Sequence, residues 1–408
     1  MDGRSQRLTG RIRRSAPARI APPLGFQPTL DGLRAIAIVL VMGLHFGGFL
    51  ARFSSAFGVD MFFALSGFLI TTLILEEWFN DRFSFKVFYV RRGFRLLPPV
   101  LVVLASLLIL VPLVGQGREW GQLAGNSAEA LSYLYNWRLV VSHQAPSPYL
   151  DHLWSLAIEE QFYFVWPVLL IWLLRRGRHV LRWVTGMLCF FVLWSLYLIA
   201  INDSTERILK GTDTRAAMVL VGCCGAIGRY YGRTQRLEHV LHRSRVLQAL
   251  PLATIFGIVL VTNRVRDTDI VHWTSGLVIA SLTAITVLGV VGGPSTALVR
   301  ALSWRPVRYV GRISYELYLW HLAIAYGVAR GGLGLPLLYQ RIFLWTALSF
   351  VAAIATHELI SKPLQRRRPQ WARGRGASST NAALRREPRE PPGRQGRPSN
   401  GFGELSLQ

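Results

Sequence analysis

Long apolar runs alternate with short, mostly basic connections along this chain. Ten runs, at 33–50, 57–75, 96–114, 154–174, 183–201, 216–231, 246–261, 273–291, 313–328 and 343–360, are about long enough to cross ~30 Å of hydrocarbon as helices. The sixth and ninth are the shortest. The pattern predicts an all-α, polytopic integral membrane protein with about ten transmembrane helices. Lys and Arg counted in alternate connections number 35 on one side and 10 on the other, with Arg34 inside the first run. That asymmetry predicts that both termini are cytoplasmic.

Composition agrees. Of 408 residues 51% are hydrophobic and thirteen are Trp, while the net charge is +24. In a soluble domain such a charge would point to nucleic acid; between apolar runs it points to topology, and no nucleic-acid partner is expected. Residues 1–25 read as a basic cytoplasmic arm without the apolar core of a signal peptide. Residues 26–365 read as the membrane domain, and 366–408 as a basic disordered tail, because Arg, Pro, Gly and Ser dominate and little apolar surface is available to bury. Cys189, Cys223 and Cys224 all fall inside predicted spans, so neither a disulfide scaffold nor a metal site is expected.

Ionisable residues inside the spans narrow the chemistry. Arg34 and His45 are eleven residues apart, which puts them on one helix face about 16 Å apart along the axis. Charged groups are costly in lipid, so such residues mark a functional-site hypothesis. With the first span rising from the cytoplasm, Arg34 is expected at the inner boundary and His45 about 18 Å above it. Glu159 is expected roughly 7 Å below the outer boundary, level with His45. His152, Ser155 and Glu159 share a face. A histidine oriented by a carboxylate can act as general base towards a hydroxyl; buried polar contacts between helices are the other reading of the same spacing.

A second cluster, Arg91, Arg92 and Arg95, precedes Pro98 and Pro99, which are expected to open the third span. Guanidinium groups beside a helix N-terminus suit phosphate, and inside-positive orientation would also account for them. Asp60 and Ser66 lie in the second span. Asp213 and Arg215, at the outer mouth of the sixth, are expected to pair with each other, with contact to an acceptor as the alternative. Tyr315, Tyr318, Trp320 and His321 ride on the ninth span, with His321 deepest, and solvation is expected to account for His357 and Glu358 at the inner end of the tenth.

Six segments in order, Arg34 with His45, GVDMFFALSGFLIT (58–71), RRGFRLLPP (91–99), HLWSLAIEEQFYFVWP (152–167), TDTRA (212–216) and GRISYELYLWH (311–321), resemble the signatures of the bacterial acyltransferase-3 membrane family. The resemblance covers about residues 26–365. It implies a ten-span enzyme of the bacterial cytoplasmic membrane that moves a short acyl group, acetyl above all, from cytoplasmic acyl-CoA to a hydroxyl. The implied acceptors are a cell-envelope glycan, glycolipid or exopolysaccharide, or else a secondary metabolite such as a macrolide. Many members add an SGNH hydrolase-like domain; this chain is expected to lack it.

By that resemblance His45 is the catalytic histidine and Arg34 its motif partner. Glu159 is the motif glutamate, supported by Ser155 and Gln161, and Arg91, Arg92 and Arg95 bind the CoA phosphates. Asp60, Ser155, Gln161, Asp213, Arg215, Tyr318 and His321 are carried as substrate-lining candidates. No permanently bound cofactor is expected, only acyl-CoA as donor substrate, with the lipid bilayer and a carbohydrate or small-molecule acceptor as partners. His45 would act either as general base or as nucleophile through an acyl-histidine. A secondary transporter is the reading from another class, but no second copy of the Arg34/His45 pattern supplies the internal repeat it would favour.

Overall fold

The computed structural model describes residues 22–46, 57–113, 117–142, 147–177, 179–262, 268–330 and 338–372, and every regular element among them is helical. In lipid each backbone N–H and C=O must find a partner within its own segment, and for these continuous apolar runs the helix is the solution. The first six elements are α1 (Pro28–Phe46), α2 (Phe57–Phe79), α3 (Phe85–Leu113), α4 (Gly117–Leu131), α5 (Tyr135–Val141) and α6 (Leu153–Arg176). There follow α7 (Val180–Ala200), α8 (Thr205–Lys210), α9 (Thr212–Tyr230), α10 (Gln235–Arg243), α11 (Arg245–Thr262) and α12 (Asp269–Val290). The last are α13 (Ala297–Leu302), α14 (Arg305–Arg312), α15 (Ser314–Arg330), α16 (Leu338–Thr356) and α17 (Lys362–Arg366), with a π-helical turn, His357–Ser361, joining α16 to α17. A single 3-10 turn, Gln370–Ala372, closes the described residues.

Seven stretches among the described residues are long and apolar enough to cross a membrane: α2, α3, α6, α7, α11, α12 and the run Ile342–Arg366. The remaining three predicted spans correspond to α1, α9 and α15, of 19, 19 and 17 residues. The predicted start of the third span is corrected. α3 begins at Phe85, and Pro98 and Pro99 lie inside it. A lipid-embedded helix tolerates proline when neighbouring groups satisfy the backbone it frees. Pro98 and Pro99 free the carbonyls of Phe94 and Arg95, and one residue further on the Tyr315 hydroxyl donates to the Leu96 carbonyl at 3.0 Å.

Helix α2 is the centre of the bundle, flanked by α1, α6, α9 and α12. Its crossing with α9 is close because two glycines face the opposite backbone. A Cβ on Gly67 would lie 2.1 Å from the Val219 carbonyl oxygen, and one on Gly222 2.0 Å from that of Ala64. Lipid gives helices no hydrophobic drive to associate, so such small-residue contacts supply the van der Waals attraction instead.

Candidate functional site

Glu159 lies six residues into α6, about 9 Å along its axis. Its Oε1 accepts a hydrogen bond from Ser66 Oγ of α2 at 2.8 Å, and Ser66 Oγ in turn accepts from the Tyr163 hydroxyl at 2.9 Å. Tyr163 is one turn beyond Glu159 on the same face of α6, so the relay leaves α6, touches α2 and returns. Ser66 and Tyr163 are both buried, which shields the relay from bulk solvent.

This carboxylate lines a small cavity of about 70 Å³ together with Arg34, Arg92 and Arg95. The volume is several times the roughly 10–15 Å³ that one water needs on this measure. Among the described residues none of the three arginines makes a salt bridge with a carboxylate. The Arg92 guanidinium lies over the Tyr163 ring, 3.7 Å from its centroid. Arg91 instead bonds to Glu77 of α2 and does not line the cavity.

The expected depths are therefore corrected. Hydropathy puts Arg34 at the membrane boundary and Glu159 far above it, yet they share one cavity. The reason lies in the helix starts: α1 begins at Pro28 and α3 at Phe85, so Arg34, Arg92 and Arg95 sit about 9–15 Å inside their helices rather than at the ends. The phosphate argument from an open helix N-terminus at Pro98 falls with the same observation. His45 belongs to the last turn of α1, and its side chain lies outside the described residues.

Ser155 Oγ is 2.6 Å from the Tyr318 hydroxyl, which also bonds to the His152 carbonyl, and both Ser155 and Tyr318 line the small cavity. His321 is fully buried behind them, its Nδ1 2.7 Å from the Tyr318 carbonyl and its ring 5.0 Å from that of His152. Gln161 points elsewhere: its Nε2 donates to the Tyr133 carbonyl and to Asn136 Oδ1, and its Oε1 accepts from Thr212 Oγ1 at 2.6 Å. It ties α6 to α5 and α9.

The expected Asp213–Arg215 pair is not formed. Residues two apart on a helix point to nearly opposite sides. Arg215 Nη1 instead bonds to Asp60 Oδ1 at 2.9 Å, with side chains 2% and 1% exposed, and Asp213 bonds to Arg207 and the Trp194 indole. His357, expected to be merely solvated, sits 3.0 Å from the buried Glu316 carboxylate on the first residue of the π-turn.

Sequence reasoning passed over Tyr163 and the Glu316–His357 contact. The i+4 spacing of Tyr163 from Glu159 was the available signal for the first; the second needs the packing of α15 against the end of α16. In the turn between α4 and α5, burial and then the Glu160 carboxylate push the Tyr133 phenol up to about 12, so it stays protonated at neutral pH.

The arrangement offers a carboxylate held by a hydroxyl relay and facing unneutralised guanidinium groups. It is equipped to hold an anion and to orient a neighbouring imidazole.

An acyltransferase domain family model matches residues 27–356. The peptidoglycan O-acetyltransferase OatA of Listeria monocytogenes is 30% identical over 366 residues, covering 84% of this chain and 56% of that protein. YrhL of Bacillus subtilis is 33% identical over 363 residues, covering 83% and 55%. The O-acetyltransferase OatA of Staphylococcus aureus is 30% identical over 318 residues, covering 73% and 50%. The chain thus spans about half the length of the curated relatives it matches. No solved structure matches it.

Proposed function

This chain belongs to the acyltransferase-3 family, and we propose that it is a multi-pass enzyme of the bacterial cytoplasmic membrane that transfers an acetyl group from cytoplasmic acetyl-CoA to a hydroxyl of a cell-envelope glycan. The carrying observation is the cavity in which three guanidinium groups, those of Arg34, Arg92 and Arg95, face the one lining carboxylate among the described residues, Glu159, without forming a salt bridge. Such an excess of positive charge inside a membrane domain is costly, and an anionic ligand offsets it. The donor's phosphates supply that anion. Its pantetheine arm is about as long as the ~16 Å rise from Arg34 to His45, so the thioester reaches the upper part of α1.

In this reading Glu159, held by Ser66, orients His45. The imidazole takes the acceptor's hydroxyl proton as the oxygen attacks the thioester carbonyl. The new C–O bond forms, the C–S bond breaks, and His45 returns the proton to the departing thiolate. A glycan acceptor is supported by the Listeria relative, a peptidoglycan O-acetyltransferase. With α1, α9 and α15 crossing alongside the seven more apolar stretches, the crossings number ten and both termini are cytoplasmic.

The test is acetyl transfer from labelled acetyl-CoA to peptidoglycan fragments by the purified protein in nanodiscs. His45→Ala and Glu159→Gln should each lower the rate by about 10²-fold or more while the protein stays folded. Rates within a fewfold of wild type in both variants would remove these residues from the mechanism.

A further inference from the structure

A second and larger cavity, of about 710 Å³, lies beside the first. Arg92, Leu96 and Tyr163 line both, so the two share a wall. The lining comes from α3, α6, α7, α9 and the turn between α4 and α5, and it is overwhelmingly apolar: Leu97, Phe164, Met187, Phe191 and Val219 are representative. Leu97, Leu134, Phe164 and Val165 are also exposed on the outer surface of the bundle. The groove therefore opens sideways, towards the hydrocarbon, rather than only towards water.

One feature of this groove has no place in a plain lipid-filled furrow. Glu160, adjacent in sequence to Glu159 but turned about 100° around α6, lines it. Its Oε1 is shielded from solvent and receives no hydrogen bond, and among the described residues Glu160 forms no salt bridge. A buried carboxylate oxygen without a donor is costly. Beside it, Tyr133 holds a left-handed backbone conformation, φ 57°, unusual for a residue with a side chain. Gln161 Nε2 fixes that turn by donating to the Tyr133 carbonyl at 2.7 Å. The apolar walls call for a hydrocarbon chain, and the orphan carboxylate calls for a hydrogen-bond donor at the chain's head. The wall of Arg92, Leu96 and Tyr163 shared with the cavity holding Glu159 puts that head one side chain away from it.

We propose that this groove is the lateral entrance for an acceptor borne on a membrane lipid, with the hydrocarbon chain between α3, α6, α7 and α9 and a sugar or polyol head donating to Glu160 beside Arg92. The proposal rests on the acyltransferase reading above and names how the acceptor hydroxyl arrives. A phospholipid head carries a phosphate that a carboxylate repels, whereas an uncharged sugar or polyol donates without that cost, and a long acyl chain on the donor would place methylenes against a carboxylate.

The experiment uses the full chain in phosphatidylcholine nanodiscs, whose headgroups have no hydrogen-bond donor, and two photoreactive probes with the same long alkyl chain. One carries a glucoside head and the other a methyl ester. Peptide mapping should find saturable adducts of the glucoside probe on the groove walls, at least tenfold above those of the ester. Glu160→Leu should weaken that labelling about tenfold, whereas Glu160→Gln, which keeps an acceptor oxygen, should retain most of it. Equal labelling by the two probes, or unsaturable adducts spread over outward-facing residues such as Leu113, Leu193 and Val261, would overturn the proposal. Acetyl transfer is measured in the same nanodiscs. Groove labelling without transfer to any sugar would overturn the enzyme reading, while transfer without groove labelling would overturn the entrance alone.

Discussion

Removing a single oxygen, by Ser66→Ala, tests whether Glu159 is held in a reactive orientation. That oxygen donates to Glu159 at 2.8 Å and accepts from Tyr163 at 2.9 Å, and Ser66 is only 6% exposed, so bulk water does not take its place. A hydrogen bond to a charged group contributes about 1.5–3 kcal/mol. Fully expressed in the transition state, that is a rate loss of roughly 10- to 150-fold. Tyr163→Phe leaves the Ser66–Glu159 bond intact and removes a neutral one, worth about 0.5–1.5 kcal/mol, or roughly 2- to 10-fold. The two losses should not multiply, because in the Ser66→Ala background the Tyr163 hydroxyl has already lost its acceptor. Initial rates of acetyl transfer in nanodiscs, with thermal unfolding confirming a folded protein, give all four corners of the cycle. Multiplicative losses, or a folded Ser66→Ala protein within twofold of wild type, would refute the relay.

Arg215→Met should destabilise the fold by about 3–5 kcal/mol, since it strands the buried Asp60 carboxylate, and Asp60→Asn added to it should recover much of the loss in detergent unfolding curves; a double variant no better than the single would count against the ion pair as the cause. Gly222→Ala should cost about 1–3 kcal/mol and reduce the monodisperse yield, because its methyl group would press on the Ala64 carbonyl of α2; an unchanged melting profile would contradict the close crossing. Arg92→Lys and Arg95→Lys should each weaken acetyl-CoA binding about tenfold despite the retained charge, whereas Arg91→Lys should scarcely change it, since Arg91 bonds to Glu77. Calorimetric affinities equal across the three variants would dissolve that distinction.

Much of the bundle was legible because lipid forces a direct correspondence between apolar length and helix: α6, α7, α11 and α12 lie within a few residues of the runs that predicted them. What hydropathy misjudges is where a helix begins when its first turns are polar. α1 starts five residues before the predicted span and α3 eleven before, and those extra turns carry Arg34, Arg92 and Arg95 from the boundary into the bundle. The short helices α5, α8 and α13 were invisible as elements, because six or seven residues have no stable helical preference until neighbours pack against them. The site was legible as a set of residue types but not as a set of partners. That Arg215 chooses Asp60 over Asp213, and Glu159 chooses Ser66, follows from the α2–α9 and α2–α6 crossings, which no spacing along one helix encodes.

The π-turn after α16 bears on how the length of this chain can vary. An α-helical turn uses 3.6 residues and a π-turn more, so His357–Ser361 holds surplus chain wound into an otherwise regular rod. Deleting one residue within it would let the rod close to regular α-helical winding, and because the five residues of the π-turn cover about the same rotation and rise as four α-helical ones, α17 should keep nearly its present phase and position. The contact of His357 with Glu316, at the upstream edge, would stay put, while the contact between Glu358 and Lys362, which straddles the surplus, would be broken or remade. The turn works as an expansion joint: a one-residue change in length is taken up where it occurs, and the helix on either side keeps its phase.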